Sequence, residues 1–239
     1  MKRIVRYGNM SNIDVPSVFS ASHRFIDILP EPDVEEISIP GRSGTLIISN
    51  DRYKNVLLTY SVGISANSHE ELQVKALSLI SWLRKGAFTY LRLEDSFAPE
   101  YYRLAQCKLS TSIENILFQR GSTKIEFNCK PQIYLKTGEQ MIEVKSGQSV
   151  HNWQQSNALP IIRVYGHGKF TIGDISITIS DGSGSYVDLD CDLHLAYEGS
   201  VNKSRQIKLT EWPALKPGEN AVSFDDTISK IEMIPRWCI

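Results

Sequence analysis

Long apolar runs are missing from this chain: no stretch approaches the roughly 18 apolar residues of a membrane-spanning helix. An excess of either charge is missing too. The 26 Lys and Arg against 27 Asp and Glu give a formal net charge of −1, without any block of like sign. That balance excludes the basic footprint of a specific nucleic-acid binder and a polybasic membrane patch. Cysteine is scarce. Cys107, Cys129, Cys191 and Cys238 lie far apart and form no C-x-x-C pair, which predicts reduced thiols of a cytosolic product over a disulfide or zinc framework. The N-terminus starts basic at Lys2 and Arg3 but meets polar Asn9, Ser11 and Asn12 in place of an apolar h-region. A soluble chain without an export signal is therefore expected.

Catalytic signatures are also absent. No G-x-S-x-G elbow, P-loop, H-E-x-x-H or Rossmann glycine pattern occurs. The five histidines, His23, His69, His151, His167 and His194, are isolated in sequence. No enzyme activity, cofactor or metal is predicted. Asp188, Asp190 and Asp192 alternate and would share one strand face, from which a weak Ca²⁺ site or a glycosidase carboxylate pair can be drawn. An exposed polar strand face accounts for the same pattern, and the glycine and terminal glutamate of an EF-hand loop are missing. Trp153, Trp212 and Trp237 fall in a β-rich region, where a tryptophan either joins a core or stacks on a pyranose. The second option gives the alternative reading, a carbohydrate-binding β-sandwich module.

What the chain does have is length and strand pattern. Its 239 residues exceed the usual size of one domain, and about 70% of the unfolded surface can be buried. Val34, Ile37 and Ile39 precede Pro40-Gly41, and Thr45, Leu46, Ile47 and Ile48 follow Gly44, which predicts two strands joined at a turn. Arg42 is the one long side chain in that turn. Pro40, Gly41, Arg42, Ser43 and Gly44 are therefore read as a narrow protrusion suited to docking against a neighbour rather than as a catalytic elbow. Val56, Leu58, Tyr60, Val62 and Ile64 then alternate along the clearest strand, with one face in the core.

Ser68-His69-Glu70-Glu71 is a capping box in which the Ser68 hydroxyl accepts from the Glu71 amide and the Glu71 side chain reaches back to the Ser68 amide. It opens a helix over 68–85, with Leu72, Ala76, Leu79, Ile80 and Leu83 as its apolar stripe and Gly86 as its C-cap. His69, in the first turn and without a second ligand, is expected to face solvent. Strands follow around Leu91–Leu93 and Tyr101–Leu104, and a hairpin around 113–129 is predicted to turn at Gly121-Ser122. Lys130-Pro131 marks the domain change. Beyond it helix signals vanish and turns recur every eight to ten residues, at Gly166–Gly168, Gly173-Asp174 and 181–184, the rhythm of a β-sandwich or jelly roll.

The order of these features resembles a known family. Leu29-Pro30-Glu31-Pro32-Asp33-Val34-Glu35, then Ile39-Pro40-Gly41-Arg42-Ser43-Gly44 and Asn50-Asp51-Arg52-Tyr53-Lys54-Asn55-Val56, looks like the N-terminal signature of siphophage distal tail proteins (Dit). Trp82-Leu83, Leu91-Arg92-Leu93 and Pro99-Glu100-Tyr101-Tyr102 resemble its helix and following strands. Pro160-Ile161-Ile162-Arg163-Val164-Tyr165-Gly166, Tyr186-Val187-Asp188-Leu189-Asp190, the run from Trp212 to Asn220, and Ile234-Pro235-Arg236-Trp237 resemble its C-terminal domain.

The resemblance implies a mainly β chain with an N-terminal α+β ring-forming domain over 1–134, a split barrel of β-sheets with one helix. A C-terminal galectin-like β-sandwich over 135–239 follows. It further implies a structural virion protein at the tail tip, made and assembled in the bacterial host cytoplasm. Its partners would be five copies of itself in a homo-hexameric ring, single or paired back to back, and the tail tube, tape-measure and tail-associated lysin or fibre proteins. The chain lacks the long arm or carbohydrate-binding insertions of some members.

Overall fold

Alternation of buried and exposed side chains over β6 (Val56–Ser65) places Val56, Leu58, Tyr60, Val62 and Ile64 in one core, as their spacing predicts. The computed structural model describes residues 3–15, 17–21, 25–26, 28–108, 114–117, 120–181 and 184–239. The chain divides into two compact units, Met1–Ile133 and Tyr134–Ile239. Both are built mainly from β-strands.

In the first unit the strands are β1 (Val5–Tyr7), β2 (Met10–Ser11), β3 (Val18–Ala21), β4 (Pro32–Ser38), β5 (Thr45–Tyr53) and β6, then after helix α1 (His69–Arg84) β7 (Leu91–Asp95), β8 (Tyr101–Lys108), β9 (Glu114–Leu117) and β10 (Arg120–Cys129). The main sheet runs β2-β1-β7-β8-β10-β6-β3, antiparallel throughout, with β9 on β10. β4 and β5 form a separate two-stranded sheet.

Helix α1 covers that sheet with Leu72, Leu79, Trp82 and Leu83, which are buried. Ile80, predicted in the stripe, is exposed, and Trp82 takes the inward position. The Trp82 indole N–H donates to the Tyr7 carbonyl at 3.0 Å, so this large ring enters the core with its polar atom satisfied. The cap differs in one hydrogen bond from the sequence expectation. Ser68 Oγ accepts from the Glu71 amide at 3.2 Å, but the Glu71 carboxylate reaches one residue farther back, to the Asn67 amide at 2.7 Å. His69 is half-buried, beside Gln73.

Gly86 is not the left-handed C-cap that its position suggests: the helix ends on Lys85 in right-handed conformation, and Gly86 is absent from the positive-φ glycines. The requirement there is space. A Cβ at Gly86 would lie 1.7 Å from the Tyr7 hydroxyl, which donates toward the Ala105 carbonyl at 3.1 Å and accepts from the Cys107 amide at 3.0 Å. Burial pushes that phenol up to about 12, so it stays protonated. The turn predicted at Gly121-Ser122 is not there: both residues lie within β10, Arg120 pairs with Leu117, and the register shifts between Arg120 and Gly121. The glycine thus marks a bulge inside β10. Ile113 and Phe118 lie outside the described residues.

The second unit holds β11 (Tyr134–Leu135), β12 (Ile142–Val144), β13 (Ser149–Asn152), β14 (Ile161–Gly166), β15 (Gly168–Ile172), β16 (Ile175–Ile179), β17 (Val187–Asp190), β18 (Leu195–Glu198), β19 (Val201–Asn202), β20 (Ile207–Leu209), β21 (Gly218–Phe224) and β22 (Ile228–Ile234). Two antiparallel sheets, β12-β22-β14-β17-β18-β19 and β13-β21-β15-β16-β20, send their alternate residues into one shared core. Ile162, Val164, Leu189 and Met233 come from the first, Phe170, Ile177 and Val222 from the second. That is a β-sandwich. The turn at Gly166–Gly168 carries the chain from one sheet to the other, since β14 and β15 belong to different sheets.

Candidate functional site

The β4–β5 hairpin departs from the rest of its unit. Every residue of β5 is exposed and β4 is nearly as open, although the pair carries Ile37, Leu46, Ile47 and Ile48. Its register sets two faces. Ile37 opposite Leu46 and Glu35 opposite Ile48 share one face, and Glu36 opposite Ile47 and Ser38 opposite Thr45 share the other. An isolated two-stranded ribbon is marginal in water, because it has no third layer to bury its apolar side.

Local chemistry nevertheless fixes the ribbon's shape. The Arg42 amide donates to the Ile39 carbonyl at 3.2 Å with Gly41 at φ 80, the signature of a type II turn with Pro40 at its first central position. Gly44, at φ 85, then swings the chain into β5. Nothing lies within 4 Å of a Cβ added at either glycine, so both serve backbone conformation alone. At the base a bulge puts Asp51 at φ 50, bonded to the Ser49 hydroxyl at 3.0 Å, and Arg52 Nε donates to Asp33 at 2.7 Å. Pro40, Gly41, Arg42, Ser43 and Gly44 all lie in the exposed tip of this ribbon. The apolar residues of its shaft were legible as strand residues. Their exposure was not, although three consecutive apolar residues at Leu46–Ile48 signal a strand that needs cover on both faces.

The acidic triad is not a site. Asp188 and Asp190 are buried, not exposed as the alternating polar pattern suggests. Arg163 grips Asp188 at 2.7 and 2.9 Å, and Arg236 grips Asp190 at 2.7 and 2.9 Å, both two-pronged. Asp192 lies beyond the end of β17. Each buried carboxylate is thus neutralised by its own guanidinium, and among the described residues no cluster of His, Cys, Asp or Glu could hold a metal ion. The described histidines stay apart: His151 pairs with Glu219, His167 lies near Asp181, and His194 stacks on Trp212.

Of the tryptophans in the second unit, Trp212 and Trp237 pack partly buried against the core. Trp153 is 79% exposed. Its ring lies 3.8 Å from the His151 ring, whose Nδ1 is 2.8 Å from Glu219 Oε1. Trp153 and His151 border a cleft of about 440 Å³ lined also by Gln140, Gln148, Ser149 and Trp237.

No protein-family model and no curated protein matches the sequence. Solved structures match the fold across almost the whole chain. The Dit protein (gp 19.1) of phage SPP1, described as a paradigm of the hub adsorption apparatus in phages infecting Gram-positive bacteria, superposes with a TM-score of 0.69 at 14% identity over 98% of both chains. Chains of the phage p2 baseplate in its activated conformation, with Sr and with Ca, superpose with TM-scores of 0.57 and 0.56 at 10% identity, over 98% of this chain and 97% of theirs. From end to end, this chain carries the fold of a phage Dit hub protein.

Proposed function

We propose that this protein is a structural hub of a phage tail tip, assembling through its first unit into a homo-hexameric ring that joins the tail tube to the tail-tip proteins. The observation that carries the reading is the β4–β5 ribbon, which has defined turn chemistry and an apolar surface that the described residues leave open. Burying an Ile or Leu side chain is favourable by about 1.5–3 kcal/mol, so a neighbour that covers this ribbon gains several such contributions. A head-to-tail contact repeated around an axis closes a ring when the rotation closes. Likeness to Dit and baseplate chains supports the same role. In this reading the second unit is a galectin-like sandwich, the tip residues Pro40–Gly44 touch the next subunit, and Arg42 meets an acidic or carbonyl-rich surface there. Tail tube, tape-measure and tail-associated lysin or fibre proteins are its partners at the virion tail tip, and the protein performs no catalysis.

Light scattering tests the ring. The full chain is expected to have a mass six times that of the monomer, and Arg42→Glu to shift it toward the monomer. An unchanged assembly mass in Arg42→Glu removes the role given to that residue, and a monomer at every concentration removes the ring.

One observation favours a second reading, a carbohydrate-binding sandwich: the exposed Trp153 at a cleft with Gln140, Glu143 and Gln148. It predicts a monomer whose tryptophan fluorescence responds to oligosaccharides and loses that response in Trp153→Ala. The hub reading predicts no such response.

A further inference from the structure

Helix α1 is apolar on two sides. Opposite its buried stripe, Val74 (64% exposed) and Leu77 (67%) stand with Ser78, Ser81 and Lys85 on one helical face. A helix whose second face is also apolar ordinarily has a second layer over it. Here that face forms one wall of a cleft of about 520 Å³, whose other wall includes Met10, Asp14 and Val15 and whose rim carries Lys85, its ammonium 3.5 Å from Met10 Sδ. The same unit therefore presents an exposed ribbon with one largely apolar face and a cleft with apolar side chains at Met10, Val74 and Leu77, and the described residues fill neither.

We infer that the β4–β5 ribbon of one copy seats in the α1 cleft of the next, with Ile37, Leu46 and Ile48 against Val74 and Leu77 and with Glu35 facing Lys85. This rests on the ring reading and names its contact. Three features select this occupant. The face carrying Ile37, Leu46 and Ile48 is the more apolar of the two ribbon faces by register. Its acidic member, Glu35, finds a cation at the rim of the cleft in Lys85, with Arg84 next to it at the helix end, two cations against the one carboxylate, Asp14, of the cleft wall. Mating a protrusion with a cleft elsewhere on the same molecule gives a heterologous contact, which can close a ring, whereas ribbon-to-ribbon pairing would stop at a dimer.

Single cysteines placed on one surface or the other test it. Leu46→Cys and Ile48→Cys proteins are mixed with Val74→Cys and Leu77→Cys proteins, and a short bismaleimide is added. The four native thiols are buried and do not compete. All four positions are solvent-facing, so the variants are expected to fold. The expected product is a covalent dimer joining a ribbon variant to a cleft variant. An assembly of six-fold mass that yields no such mixed dimer, or only ribbon-to-ribbon dimers, overturns the inference and leaves the ring standing. Absence of any assembly overturns both. Lys85→Glu is further expected to raise the concentration for half-assembly about tenfold at low salt, and Glu35→Lys in the same chain to restore it. Failure of that restoration in a chain that still assembles counts against the pairing.

Discussion

At the scale of single residues, the buried Asp190–Arg236 pair gives the second unit a pH response. Burial works to raise the Asp190 carboxyl, but the hydrogen bonds and charge of Arg236 outweigh it and hold Asp190 below the usual carboxylate range. Because its folded value is depressed, the stabilisation is present above the unfolded value of about 3.9. It is lost as pH falls through the folded value. Urea unfolding of the second unit is thus expected to hold its midpoint from neutral pH to about 5 and to weaken below about 4. Removing the guanidinium with Arg236→Ala leaves a buried carboxylate uncompensated and is expected to cost roughly 3 kcal/mol at pH 7. Asp188 and Asp190 also show why alternation is ambiguous. Two aspartates on one strand face read the same whether that face meets water or a pair of arginines, and the arginines stand 25 and 46 residues away in sequence.

At the scale of elements, the ribbon's function depends on its turn. Gly41 holds φ 80 with open space around it, so a side chain there strains the backbone without touching anything. Gly41→Val is expected to leave the thermal unfolding of the first unit's core unchanged while raising the concentration for half-assembly, read by light scattering on dilution. Gly41→Asn, whose side chain tolerates left-handed backbone, should keep most of the assembly. If both variants assemble like the parent, the tip does not form the contact. Helix α1 was legible to within a residue at each end, because a capping box and an apolar stripe are local signals. The use of Gly86 was not legible, since the constraint comes from Tyr7, 79 residues away.

At the scale of the whole molecule, the four cysteines form no chemistry of their own. All are buried free thiols, and burial pushes Cys107, Cys129 and Cys191 up to about 12 and Cys238 to about 11. A thiolate reagent at pH 8 is expected to find no reactive thiol in the native protein and four after denaturation. Rapid native labelling would show that one of the cores opens. Both cores are closed by strands distant in sequence, as in the pairing of β14 with β22 and of β10 with β6. The described residues contain no helix long and apolar enough to cross a membrane.

The sequence by itself determined what depends on near neighbours: the strand period of β6, the cap and span of α1, the turn at Pro40-Gly41, and the turn rhythm of the sandwich. Each follows from steric preference or hydrogen bonding within a few residues, so the local order of residues suffices. Only the tertiary structure decided which apolar surfaces are left over. Leu46 and Val164 are both apolar strand residues, yet one lies open and the other is sealed between two sheets. Burial is a property of the layers that meet, and the sequence does not state how many layers come from its own chain and how many from a neighbour.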